Sequence, residues 1–152
     1  MGFTGSLPTL AMAALALVGM VGWLSLAALR LPPNAPDRLV AELRLAQLAA
    51  TVLAFVAAGY VGLAAGAPSV PGTGLDVALA LGFLVLALIA PLRDPREALT
   101  LVALGFSAHA AIDLLHRPGW LPEAAVPHWY ALGCAGQNVL LALACLAPLL
   151  RR

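Results

Sequence analysis

Residues 7–29 read LPTLAMAALALVGMVGWLSLAAL, 23 positions without one charged side chain, closed by Arg30 and the run Leu31-Pro32-Pro33-Asn34-Ala35-Pro36. A soluble helix needs a polar face. An uninterrupted apolar run of this length instead matches the ~30 Å hydrocarbon core of a bilayer, which takes about 20 helical residues to cross. Three prolines in five residues then end the helix and hold the chain extended.

Working outward, four more apolar stretches follow, at about 38–63, 75–91, 95–116 and 127–150. The second opens on charge (Arg38, Glu42, Arg44), so its lipid-buried part is 45–63, with Asp37 as the expected N-cap. Arg38 and Glu42, four apart, are expected to pair on the helix surface. The third is short for a span and stops at Pro91. The fourth has the best-marked start: Asp94-Pro95-Arg96-Glu97 offers a capping carboxylate, a proline at the first helical position and an acid in the first turn. Residues 1–6 carry no Arg or Lys, and the first apolar run exceeds the ~7–15 residues of a signal core, so it reads as a retained span. Backbone groups in lipid must bond internally, so each span is a helix.

Composition agrees. The 152 residues are 62% hydrophobic and 10% charged, with mean hydropathy +0.98; soluble domains run at roughly 45–50% apolar and 25% charged. A net charge of +1 with no basic block excludes a nucleic-acid surface. All eight basic residues are arginine in a chain rich in Ala, Leu and Gly, which points to a GC-rich bacterial coding sequence and hence to the cytoplasmic (inner) membrane of a bacterium. Cys134 and Cys145 lie about 16 Å apart along one helix, too far for a disulfide.

The arginines also give direction. With five spans, Arg30, Arg38, Arg44, Arg93, Arg96, Arg151 and Arg152 share one side, and Arg117 stands alone on the other. Cytoplasmic segments carry the positive excess. The expected fold is therefore all-α: one polytopic domain over 1–152, a bundle of five transmembrane helices with its N-terminus outside and C-terminus cytoplasmic. Tyr60, Trp120, Trp129 and Tyr130 fall near the outer interface, where amphipathic rings are favoured, and Trp23 marks the inner one.

Chemistry concentrates in the last two spans. His109, Asp113 and His116 are spaced i, i+4, i+7, within about a 60° arc of one helix face. Measured from the outer end, His109 is expected about 12 Å deep, Asp113 about 6 Å and His116 at the interface. The fifth span returns Tyr130, Cys134, Gln137 and Asn138, with His128 at its mouth. A short connection makes the two helices antiparallel neighbours, so a polar pocket of His109, Asp113, His116, His128, Cys134, Gln137 and Asn138, open to the outer face, is expected. An ionisable residue in hydrocarbon costs roughly 2.5–3.5 kcal/mol on insertion scales and needs a partner; His109 and Asp113 can serve each other.

Three readings of this set stand side by side. The polar groups are interhelical glue, at ~0.6 kcal/mol per bond. Alternatively, imidazole and carboxylate hold Zn, Cu, Fe or haem through His109, Asp113, His116 and His128. The third is acid–base work by a His–Asp pair on a lipid-soluble substrate. A thiolate is disfavoured in hydrocarbon, so Cys134 reads as a core residue. Gly59, Gly62, Gly66, Gly133 and Gly136 permit close helix approach, Gln47 and Thr51 can face Ser25 or another segment, and Glu42 and Asp76 fall at helix starts, where carboxylates complement the dipole. The resulting expectation is a small membrane binding or accessory protein in contact with lipid, as a subunit of a larger assembly or a homo-oligomer. Its alternative is an intramembrane enzyme or redox protein using a metal or haem at the same residues.

Overall fold

The computed structural model describes residues 7–66, 69, 71–116, 120, 121 and 128–151. They form α1 (Leu7–Arg30), α2 (Pro36–Gly66), α3 (Thr73–Ile89), a 3₁₀ turn (Ala90–Leu92), α4 (Pro95–Leu115) and α5 (His128–Leu150). No strand occurs among the described residues. Five helices are long and apolar enough to cross a membrane, and the chain is a multi-pass all-α bundle. Arg117, Pro127 and Arg152, which entered the sequence reading, lie outside the described residues.

Local chemistry accounts for the ends. Pro36 opens α2, a position where a missing N–H costs nothing; Asp37 therefore sits inside the first turn and does not cap it. Asp94 does occupy the N-cap of α4, but its side chain makes no capping bond. The Ala98 N–H donates to the Asp94 carbonyl at 2.8 Å. Pro91 cannot donate to the preceding turn, and α3 tightens there into the 3₁₀ turn, with the Arg93 N–H donating to the Ala90 carbonyl at 3.1 Å.

Helices α2 and α4 form the middle of the bundle. α2 touches all four other helices, α4 packs on α5, α2 and α3, and α1 lies only against α2 and α5. Their shared core is Leu45, Ala49, Val52, Leu53 and Ala57 from α2 against Leu99, Val102, Ala103 and Phe106 from α4, all buried. Large apolar side chains such as Leu15, Phe55, Leu88 and Leu143 point outward, which is tolerable where lipid is the solvent. The tightest approach is at Gly105, where an added Cβ would stand 2.6 Å from Leu86 Cδ2 and 2.8 Å from Leu53 Cδ2. Of the expected glycines only Gly59 has a close neighbour, the Tyr130 hydroxyl at 3.3 Å from a built Cβ; Gly62, Gly66, Gly133 and Gly136 have open space.

One end of the bundle collects the arginines, as the alternation of helices requires. Arg38 and Glu42 form their ion pair at 2.9 Å, but it is buried, at 1% and 2% exposure, and not on the helix surface. The Arg38 guanidinium also donates to the carbonyls of Pro148 (2.7 Å) and Arg151 (3.1 Å), and Arg96 donates to Leu149 (3.1 Å). Two arginines thus satisfy the unpaired carbonyls at the C-terminal end of α5 and complement its dipole.

Pro148 creates a second such need. Lacking an N–H, it leaves the Ala144 carbonyl without its partner one turn on, and the Ser25 hydroxyl of α1 donates to that carbonyl at 2.7 Å. Ser25 is thereby committed to α5. Thr51, expected to face Ser25 or another segment, donates its hydroxyl to the Gln47 carbonyl on its own helix at 2.9 Å.

Candidate functional site

At the opposite end, the antiparallel packing of α4 and α5 sets His109 and Asp113 beside Cys134 and Asn138. His109, Asp113 and Asn138 are only 3%, 1% and 0% exposed. His109 Nδ1 stands 3.3 Å from Asp113 Oδ2 and 3.2 Å from the Asn138 amide nitrogen, which lies 3.4 Å from Cys134 Sγ. The other carboxylate oxygen, Asp113 Oδ1, accepts a hydrogen bond from the Tyr60 hydroxyl of α2. Phe83 of α3 lies against the imidazole, ring centroids 4.7 Å apart, and Tyr60 meets it edge-on at 5.0 Å. Side chains from four helices therefore fix one histidine ring.

His109 and Asp113 meet because they are one turn apart on α4. Their depth forces the rest. A carboxylate removed from water needs donors on both oxygens, and here the second is supplied by Tyr60. Tyr60 is thus a buried member of the centre and not the outer-interface ring that its position suggested. Trp120 and Trp129 are exposed, in keeping with that role.

His116 leaves the stripe. It caps the C-terminus of α4 with non-helical backbone angles (φ −69°, ψ 68°), which turn its side chain toward α3. There its Nε2 stands 3.1 Å from Asp76 Oδ1, both side chains buried. Asp76, read from sequence as a first-turn carboxylate complementing the dipole, is the buried acid that meets the second α4 histidine. His128 is exposed at the first position of α5, and Gln137 is half-buried with no hydrogen bond among the described residues. The expected seven-residue pocket therefore divides into a centre of His109, Asp113, Cys134 and Asn138, a separate His116–Asp76 pair, and two residues outside both.

A narrow cleft of about 10 Å³, roughly the room of one water molecule, joins the two pairs. It is lined by Tyr60, Asp76, Leu79, Ala80, Phe83, His109, Ile112 and His116, so it opens between α2, α3 and α4 and not between α4 and α5. Among the described residues, His109, Asp113 and Cys134 form a group that can hold a metal ion, each offering one ligand atom within 4.8 Å of the others. His116 and His128 do not belong to that group. Both cysteines are buried and free.

Tyr60 and Asp76 were the residues that sequence reasoning missed. Asp76 did carry a signal: it is one of few acids on the charge-poor side, where the histidines also fall. Tyr60 carried none, because a tyrosine near a helix end reads equally well as an interface anchor. Comparison with protein-family models, with curated proteins and with solved structures gave no match.

Proposed function

We propose that this chain is an integral membrane binding protein whose site is the polar centre on α4 and α5, reached from the arginine-poor side of a bacterial inner membrane. The observation that carries the reading is the convergence of His109, Asp113, Cys134, Asn138 and Tyr60, from three helices, on one buried point beside a water-sized cleft. Glue between helices needs one or two such bonds, each of small value. Four polar groups gathered about one imidazole exceed that need, and ionisable residues at depth in a membrane mark ligand or ion pathways.

The cleft sets the scale of the ligand. Its volume of about 10 Å³ fits an ion or a very small polar molecule and not a haem macrocycle. His116, engaged with Asp76, and exposed His128 are also poorly placed to act together as its axial pair. An accessory role in a larger assembly is supported by α1, which is little buried and leaves most of its apolar surface facing outward.

A site kept for a ligand is held at the expense of stability, whereas glue adds to it. The test is the triple variant His109→Phe, Asp113→Leu, Asn138→Leu. Native mass spectrometry from mild detergent should show a small adduct on the wild type that the variant loses, with thermal stability kept or raised. A wild type without adduct, combined with a variant that melts earlier, would return the centre to structural glue.

A further inference from the structure

Resting on the reading of this centre as a binding site, we infer that its ligand is a tetrahedral divalent metal ion of the zinc class, held by His109 Nδ1, an Asp113 carboxylate oxygen, Cys134 Sγ and the Asn138 carboxamide oxygen. This set differs from the His109, Asp113, His116 and His128 expected from sequence, since it takes two donors from α5 and leaves out the last two histidines.

Three observations converge on it. The first is spacing. Metal bonds of about 2.0–2.3 Å at tetrahedral angles place neighbouring donors roughly 3.3–3.6 Å apart. Nδ1 to Oδ2 is 3.3 Å, and the Asn138 amide nitrogen, whose place the carboxamide oxygen takes when the group is turned over, stands 3.2 Å from Nδ1 and 3.4 Å from Sγ. The His, Asp and Cys ligand atoms all lie within 4.8 Å of one another.

The second is a conflict over one proton. Nδ1 faces both a carboxylate oxygen and an amide nitrogen. Protonated, it serves Asp113 but opposes the Asn138 N–H; bare, it accepts from Asn138 but faces the carboxylate lone pairs. Meanwhile Asn138 Oδ1 is fully buried with no hydrogen-bond partner. Turning the carboxamide by half a revolution aims that oxygen at the space shared by the ring nitrogen and the sulfur. A cation there removes the conflict, because carboxylate, imidazole lone pair, thiolate and carbonyl oxygen are then all donors to it.

The third is charge. Bound as carboxylate and thiolate, Asp113 and Cys134 carry two negative charges, which cancel those of a divalent ion. A neutral cluster suits a low-dielectric interior where an isolated charge does not. In the binding step the Cys134 S–H bond breaks, an S–metal bond forms, and the thiol proton leaves to solvent together with any proton on Asp113. Thiolate with imidazole favours zinc over magnesium or calcium. Tyr60, on the outer carboxylate oxygen, and Phe83, against the ring, orient the ligands from behind.

The test uses the full chain in mild detergent, stripped with chelator and titrated with Zn(II) and, as an optical probe, Co(II). One equivalent of Co(II) should bind, giving a thiolate charge-transfer band in the near ultraviolet and tetrahedral visible bands. Cys134→Ser, close to isosteric and the variant least apt to misfold, should abolish the charge-transfer band, while Cys145→Ser leaves it. His109→Ala and Asp113→Asn should weaken binding by more than tenfold, Tyr60→Phe by roughly 10–100-fold, and His116→Ala and His128→Ala should leave the stoichiometry unchanged. A folded wild type without a thiolate band, or binding that survives Cys134→Ser and His109→Ala, overturns the proposal. If that metal-free protein still carries a different adduct that the triple variant loses, the binding-site reading stands and only the metal is wrong; with no adduct, both fall.

Discussion

Tyr60 shows how a single hydroxyl sets the character of the buried centre. It is the partner of Asp113 Oδ1 from a different helix, and its removal takes a hydroxyl donor from that buried oxygen. Hydrogen bonds to charged groups contribute about 1.5–3 kcal/mol, and an orphaned acceptor costs a similar amount. Tyr60→Phe, which keeps the ring and its contact with His109, should therefore lower stability by about 1–3 kcal/mol in micelle denaturation. Tyr130→Phe, whose half-buried ring packs edge-on to Tyr60 at 6.1 Å, should cost less than half as much. Equal losses would mean that the Asp113 contact has no special weight.

At the scale of helices, α1 and α5 are joined by a repair. Pro148 removes a backbone donor inside α5, and Ser25 on α1 supplies the replacement to the Ala144 carbonyl. The two residues should be coupled. Ser25→Ala alone should destabilise by about 1 kcal/mol; in a Pro148→Ala background, where residue 148 regains its N–H and α5 satisfies Ala144 internally, the same change should cost almost nothing. Thermal unfolding of the four proteins in one detergent measures this cycle. Additive losses would show that Ser25 acts by packing alone. Similar reasoning explains the length of α2, whose 31 residues extend about 46 Å and exceed the bilayer core, letting Arg38 and Glu42 reach the carbonyl-rich end of α5.

For the molecule as a whole, the two ends of the bundle differ in chemical kind. Guanidinium groups and free carbonyls gather at one, and buried imidazole–carboxylate pairs at the other. Under the proposed orientation, which follows the positive-inside bias and sets the arginine end in the cytoplasm, the polar centre faces the periplasm. A fluorescent protein that folds only in the cytoplasm should light up when fused after Arg152 and stay dark when fused before Met1. The reverse pattern would invert the orientation and move access to the centre to the other side of the membrane.

Much of this was legible in the chain alone. Apolar length and proline-marked ends determine five helices and their limits to within about three residues, because in lipid a backbone has no other way to satisfy its polar groups. Short connections and arginine spacing determine which helix ends lie together, and the i, i+4 relation determines the His109–Asp113 pair. Helical periodicity, however, says which face a side chain leaves from and not what it meets. Only the packing of α2, α3 and α5 around α4 decided that Tyr60 and Asp76 are partners of that face, that the backbone turn at His116 removes it from the stripe, and that Arg38–Glu42 is buried. Those outcomes depend on contacts between residues far apart in sequence, where the need of each buried charge for a partner is met by whichever helix stands next to it.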